Sequence, residues 1–271
     1  QAPYRSYVIA GCVEPGAVTD ALYWDTADPY HYVRLEHMRA EESPGGRAYD
    51  LLIIGGEDHK TAQADDADRR FYKLEKWARQ HFDQMDTIEF RWSGQVMETI
   101  DGLAFIGRNP LDEPNVLIAT GDSGMGITHG TIAGILLSDI IQGRNNPWQE
   151  LYDPSRVRFH SITKFAIEQA NVFRQYSDYF TAGEVEDVND ILPGTGAVMR
   201  SGLSKMAVYR DEQGDFHEFS AVCPHMKCIL RWNSLENSWD CPCHGSRFDA
   251  YGHVINGPAN QSLTAHEHAK A

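Results

Sequence analysis

Long apolar runs are missing from this chain. None approaches 18 residues, so no segment reads as a membrane-spanning helix. The opening QAPYRSYVIAGCVEPG is too polar for the apolar core of a signal peptide. Positive charge is also scarce: 24 Lys and Arg stand against 39 Asp and Glu, for a formal net charge of −15. That balance argues against binding to nucleic-acid backbones, where affinity comes from Lys and Arg releasing counterions. No internal repeat is visible. Cysteine is rare, with 5 in 271 residues, and four of the five are crowded between 223 and 243. A disulfide-stapled secreted scaffold would spread its cysteines through a short chain, whereas a cluster interleaved with histidines points to a metal site. With 42% hydrophobic and 23% charged residues the chain is of ordinary globular composition, which excludes intrinsic disorder. Its length suits one large domain or two ordinary ones. It begins with Gln rather than Met, which raises the expectation of a processed chain or a fragment.

Periodicity divides the chain into three segments. Residues 1–160 mix short strands with two helices, 161–180 read as a connecting helix (SITKFAIEQANVFRQY), and 181–271 are β-rich. LLIIGG (51–56) is an apolar run closed by glycines and suits a buried strand. DADRRFYKLEKWARQHF places Phe71, Leu74, Trp77, Ala78 and His81 at spacings of three and four, an amphipathic helix whose aromatic stripe belongs to a core. Further on, Val116 to Thr120 reads as a strand followed by a glycine-rich turn. A helix is expected from near Thr128, with Ile132, Ile135, Leu136 and Ile140 on one face and Gly143 as its stop. The runs AVMRSG, KMAVYRD and FHEFSAV, separated by Gly, Asp and Asn, predict a small antiparallel β domain.

The cysteines and histidines sit in two short loops, CPHMKC (223–228) and CPCHGS (241–246), twelve residues apart. Cys223 and His225 are two apart and Cys241 and His244 three apart, so each loop can aim one thiolate and one imidazole at the same place. Two sulfurs and two nitrogens suit a tetrahedral zinc. They equally suit a [2Fe–2S] cluster with cysteines on one iron and histidines on the other.

These loops resemble the Rieske iron–sulfur motif, CxHxxC paired with CxCHGS, in the form that carries an extra disulfide. The resemblance covers the last ninety residues. It implies that Cys223 and Cys241 bind one iron, His225 and His244 the other, and that Cys228 bonds to Cys243. Neutral imidazoles in place of two thiolates make such a cluster accept an electron more readily, within roughly −150 to +300 mV. Ser246 stands where high-potential members have a serine donor. The tyrosine usual two residues later is Phe248 here, so a potential below that of the respiratory type is expected.

RWSGQV (91–96), DGLAFIGR (101–108) and ATGDSGMGITHGTIAG (119–134) resemble the C-terminal half of FAD-dependent oxidoreductases of the D-amino-acid oxidase type. DPYHYVRL, GGEDHK and NNPWQELYDPSR resemble the subgroup that carries a C-terminal Rieske domain. The fold class implied is α+β: mixed sheet and helices of the C-terminal half of such a flavoprotein, followed by a small antiparallel Rieske domain. The resemblance lays Gly124, Met125, Gly126, Ile127 and Thr128 along the flavin, where the N-terminus of the next helix would favour negative charge. The family's strand–GxGxxG–helix is not matched here. IIGGEDHK lacks the third glycine and the helix, so the chain is expected to be the C-terminal part of a longer flavoprotein with an apolar surface left exposed.

Candidate substrate-side groups are Tyr30, Tyr32, Arg34, His59, Trp92 and Gln95. Arg34 suits a substrate carboxylate, and His59, flanked by Asp58 and Lys60, suits a base. The expected function is flavin-mediated oxidation of a small amine or amino-acid-like substrate, with electrons relayed by a [2Fe–2S] cluster to a redox partner protein or small acceptor. The alternative is an electron-transfer module in which residues 1–160 are a docking scaffold. The cytoplasm is the expected compartment. Cys12 is left over as a plain buried thiol.

Overall fold

The computed structural model describes residues 1–43, 45–156 and 162–266. Its elements in chain order are β1 (Ala2–Val13), β2 (Tyr23–Trp24), β3 (His31–Met38), β4 (Tyr49–Lys60), α1 (Ala67–His81), β5 (Ile88–Glu98), β6 (Phe105–Arg108), β7 (Leu117–Thr120), α2 (Gly126–Ile141), α3 (Gln149–Tyr152) and α4 (Ile162–Gln175). A 3₁₀ turn (Tyr176–Phe180) continues α4, and β8 (Thr195–Ser201), β9 (Ser204–Arg210), β10 (Phe216–Ser220), β11 (Arg231–Asn233), β12 (Ser238–Asp240), β13 (Arg247–Asp249) and β14 (Val254–Asn256) follow. The class is α+β, as expected. Cα proximity divides the chain into two compact units. One is Arg5–Lys60 with Ala64–Gln95; the other is Gln1–Tyr4, Thr61–Gln63 and Val96–Ala271.

In the first unit the strands lie in a sheet of order β2-β3-β4-β1-β5. Alternation sets its faces: Val33 and Leu35 of β3, Leu52 and Ile54 of β4, and Tyr7 and Ile9 of β1 pack with Phe71, Leu74 and Ala78 of α1. Trp77 is partly buried against this core and stacks between His31 and His81, with centroids 4.3 Å away on each side. His81, expected in the core stripe, is exposed, because five positions at spacings of three and four span a wider arc than the sheet covers. Cys12 is only half-buried and not the buried thiol expected; burial still pushes its pKa up.

The second unit contains the antiparallel pair β6–β7, in register from Phe105↔Thr120 to Arg108↔Leu117. It packs Ala104 and Ile106 against Ala133, Leu136 and Ile140 of α2 and Tyr152 of α3. The helix starts at Gly126, two residues before the expected Thr128, and β7 starts one residue after Val116. Ile135, expected inward, is 48% exposed along with Ile127 and Ile141. The inward positions are His129, Ala133, Leu136 and Ile140. At the C-terminus, Gly143 N–H bonds Ile140 O and Arg144 N–H bonds Asp139 O, a Schellman motif that satisfies the last carbonyls. Arg156 is buried with Asp101 (2.8 Å), donates to Ala104 O, Leu103 O and Tyr152 O, and lies over the Phe105 ring.

The C-terminal part of this unit has two antiparallel sheets, of order β10-β9-β8 and β11-β12-β13-β14. Their shared core holds Trp239, Phe248, Leu230, Ile229 and Val198 around Cys223, Cys228, Cys241 and Cys243. Among the described residues no helix is long and apolar enough to cross a membrane.

Candidate functional site

Two six-residue loops carry the cysteines and histidines, and they share one backbone design. In Cys223–Cys228 the N–H of Cys223 bonds Cys228 O (2.8 Å) and the N–H of Lys227 bonds Cys223 O (3.0 Å). Across Cys241–Ser246 the N–H of Cys241 bonds Ser246 O (2.8 Å) and the N–H of Gly245 bonds Cys241 O (3.1 Å). Both loops turn through a left-handed residue at the fifth position, Lys227 at φ 62° and Gly245 at φ 77°. Glycine suits that conformation and lysine is strained in it. The likeness of the two loops is invisible as a repeat because only the leading Cys-Pro is shared.

These loops bring Cys223, His225, Cys241 and His244 together. The two thiols are within hydrogen-bonding reach, and the two imidazoles meet edge to face at 5.0 Å. Cys241, the N–H groups of His225 and Met226, and the Ser246 hydroxyl all donate toward Cys223 Sγ. The hydrogen bond from Cys241 is the largest influence, and together they hold the Cys223 thiol down to about 6. Sharing that proton pushes Cys241 up. Burial holds both histidines below their usual pKa, hence neutral, the state in which imidazole binds a metal. His244 Nδ1 is buried with no hydrogen-bond partner among the described residues, while His225 is exposed at the tip of its loop. One thiol held toward thiolate, a second thiol sharing its proton, two neutral imidazoles and a buried ring nitrogen fit a [2Fe–2S] cluster.

Cys228 and Cys243 are joined as a disulfide that ties the two loops, with Cα atoms 6.4 Å apart. Cys228, Cys241 and Cys243 have sulfurs within 4.8 Å of one another. Two of those sulfurs are bonded together, so this trio is the disulfide beside Cys241 and not a cation site. Two tyrosines passed over in the sequence secure the first loop: Tyr176 OH donates to Met226 O and Tyr179 OH to Lys227 O, each at 2.5 Å. Their signal was the spacing of three in QYSDYF, which aligns both on one side of a 3₁₀ turn.

The glycine-rich turn between β7 and α2 holds the other group of expected site residues. Gly121 has φ 73°, and a Cβ there would strike the Thr99 methyl, so only glycine fits. Gly124, Met125, Gly126, Ile127 and Thr128 are all exposed at the N-terminus of α2, whose N-cap residue Met125 makes no side-chain cap and whose Gly126 has the Asp122 carboxylate beside it. A helix N-terminus behind glycines suits the edge of a flavin.

The substrate-side candidates are scattered. By strand alternation Tyr32, Arg34 and Trp92 lie on the sheet face opposite α1, the Tyr32 ring over Gly55 and 6.1 Å from that of Tyr30. Gln95 lies on the same side of β5 as Arg91, which pairs with Glu75 of α1. Arg34 is exposed and paired with Glu36 at 3.1 Å. His59 is half-buried: Nδ1 faces Lys60 O at 2.9 Å and so carries the proton, and the Tyr7 hydroxyl donates to Nε2 at 3.0 Å. Burial, then the charge of Arg70, lowers His59 to about 4, and burial pushes Tyr7 up to about 12. Arg34 pairs with Ile53, six residues short of His59 along β4 or about 20 Å, so the two do not form one site.

Comparison with known proteins agrees with both halves. The Rieske [2Fe-2S] domain family matches residues 180–267, and the FAD dependent oxidoreductase family matches residues 1–140. The Bacillus subtilis protein YhfW, named as a Rieske 2Fe-2S iron-sulfur protein, is 32% identical over 265 residues, covering 96% of this chain and 49% of its own length. The chain thus spans about half of that relative. The cytochrome b6-f complex iron-sulfur subunit 1 of Nostoc is 55% identical over 51 residues, 19% of this chain and 28% of that one. Glycine oxidase from Geobacillus kaustophilus aligns with a TM-score of 0.43 and 17% identity over 58% of this chain and 39% of its own. The chain belongs to the FAD dependent oxidoreductase family and carries a Rieske [2Fe–2S] domain at its C-terminal end.

Proposed function

We propose that this chain couples flavin-mediated oxidation of a small amine or amino-acid-like substrate to one-electron delivery to a redox partner. The observation that carries the reading is the pair of matched loops, with two thiols, two neutral imidazoles and an orphaned buried His244 Nδ1, in a chain whose other half is a FAD dependent oxidoreductase. In this reading Cys223 and Cys241 hold one iron and His225 and His244 the other, and Gly124, Met125, Gly126, Ile127 and Thr128 line the flavin. Bound there, the [2Fe–2S] centre supplies one-electron exchange and FAD supplies two-electron oxidation. Around the first iron, the N–H groups of His225 and Met226 and the Ser246 hydroxyl stabilise negative charge on Cys223 sulfur. The exposed His225 would offer an external partner a short path, and the N-terminus of α2 would favour negative charge on a flavin held there. The proposed domains are 1–160 for the flavoprotein part, 161–180 as connector and 181–271 for the Rieske part; the proposed compartment is the cytoplasm.

A second reading, an electron-transfer module with residues 1–160 as scaffold, is favoured by one observation. Arg34 is occupied by Glu36 and His59 is closed between Tyr7 and Lys60 O, so these two candidates do not form an acid–base pair. Absorption and EPR spectra of the purified chain, with iron and flavin content, test both. A colourless or zinc-loaded protein overturns the first reading; iron–sulfur signals without flavin uptake favour the second.

A further inference from the structure

One short segment outside the loops reaches the second of them. The chain leaves β4 at Lys60, and Thr61 is fully buried with its N–H on Pro3 O at 3.0 Å. Ala62 then takes φ 57°, a left-handed conformation that costs a non-glycine residue roughly 1–2 kcal/mol. The strained residue delivers Gln63. Its Nε2 donates to Asn171 Oδ1 at 2.8 Å and to Pro242 O at 3.3 Å, and its Oε1 accepts from Asn171 Nδ2 at 3.3 Å. The carbonyl of Pro242 can only accept, so the chemistry fixes which end of the Gln63 amide faces it. Pro242 is buried between Cys241 and Cys243 and two residues before His244.

Asn171 lies on α4, one turn before the 3₁₀ segment that supplies Tyr176 and Tyr179. A single continuous element therefore touches both loops: it holds the first through tyrosine hydroxyls on Met226 O and Lys227 O, and the second through Gln63 on Pro242 O. Two of these bonds go to carbonyls next to residues that would ligate iron, Met226 O after His225 and Pro242 O after Cys241, and the third goes to Lys227 O beside the disulfide-bonded Cys228; outer hydrogen bonds there set ligand direction.

We propose that Gln63, anchored by Asn171, is a positioning residue for the iron–sulfur centre, clasping the Cys241–Ser246 loop and placing an N–H dipole beside it. The inference rests on the Rieske reading above. Removing the donor takes a hydrogen bond from a buried carbonyl and the positive end of a dipole away from the centre, so the loop loosens and the reduced, more negative state is disfavoured. The test uses the full chain carrying its iron. Gln63→Met, close in volume but without hydrogen bonds, is expected to take up iron, to lose it to a chelator about ten- to hundredfold faster, and to show a lower midpoint potential with shifted EPR g-values. Asn171→Leu, which leaves Gln63 in place but unanchored, is expected to move the same quantities in the same direction by less, and it carries the test if Gln63→Met does not fold. Parent-like potential, g-values and iron-loss rate in either folded variant overturn the clasp. A parent chain that takes up no iron overturns the Rieske reading instead, so the two failures are distinguishable.

Discussion

At residue scale the reactivity of the site is set by who donates to Cys223 sulfur. Ser246 accepts the N–H of Ala259 at 3.0 Å, which leaves its own proton for Cys223. Phe248, fully buried beside Trp239, has no hydroxyl to add a second donor. Ser246→Ala is therefore expected to lower the midpoint potential by up to about 60 mV, one tenfold step for a one-electron couple, and Phe248→Tyr to raise it; a redox titration followed by EPR reads both. His59 illustrates the opposite tuning. Its pKa is lowered from 6.5 to about 4 by burial and Arg70, so the unfolded chain binds the proton more readily. Its stabilising contribution is complete above the unfolded value and is lost as pH falls from about 6.5 toward 4. Discounted for remaining solvent access, the loss is about 1 kcal/mol. Urea titrations at pH 7 and pH 5 are expected to lose that difference in His59→Gln. The cysteines and histidines were legible because their types and spacings are rare, whereas Gln63 and Asn171 are ordinary amides 108 residues apart whose pairing no local pattern encodes.

Among elements, the pair of loops is held by cross-links of different kinds. The Cys228–Cys243 disulfide closes a segment of sequence separation 15, worth about 3 kcal/mol by chain entropy. Cys228→Ser is expected to lower stability by that order and to speed iron loss, measured by denaturant melts and chelator kinetics. In the β6–β7–α3 region, Arg156 and Asp101 form a buried pair, both almost wholly withdrawn from water. Arg156→Met takes the guanidinium away from buried Asp101 and is expected to cost about 3–5 kcal/mol, more than Arg156→Met with Asp101→Leu, which removes both charges. Helix α1 was readable from its period because one side is apolar and the other charged. Helix α2 was not readable in the same way: Ile127, Ile132, Ile135 and Ile141 put apolar residues around the cylinder, so periodicity alone could not choose the face that packs on β6. Its Gly143 stop was legible because the Schellman geometry needs a left-handed residue there.

For the whole molecule, a FAD dependent oxidoreductase part and a Rieske domain share one chain, and the expected absorption spectrum is an iron–sulfur envelope, with FAD uptake checked by fluorescence titration. Exposed Ile127 and Ile141 on α2 leave an apolar strip on the surface. The sequence by itself pointed to the chemistry: Cys223, His225, Cys241 and His244 in two loops suit a thiolate–imidazole centre, and the order of motifs pointed to the α+β class with a β-rich C-terminal part. Only the tertiary structure decided the geometry around that chemistry. It separated Arg34 from His59, closed His59 with Tyr7, buried His244 Nδ1 while leaving His225 exposed, and made α4 with its 3₁₀ turn the support of both loops. The reason is physical. Ligand identity is written in residue type and short spacing, whereas burial, pKa and outer hydrogen bonds depend on groups that are distant along the chain and meet only when the cores form.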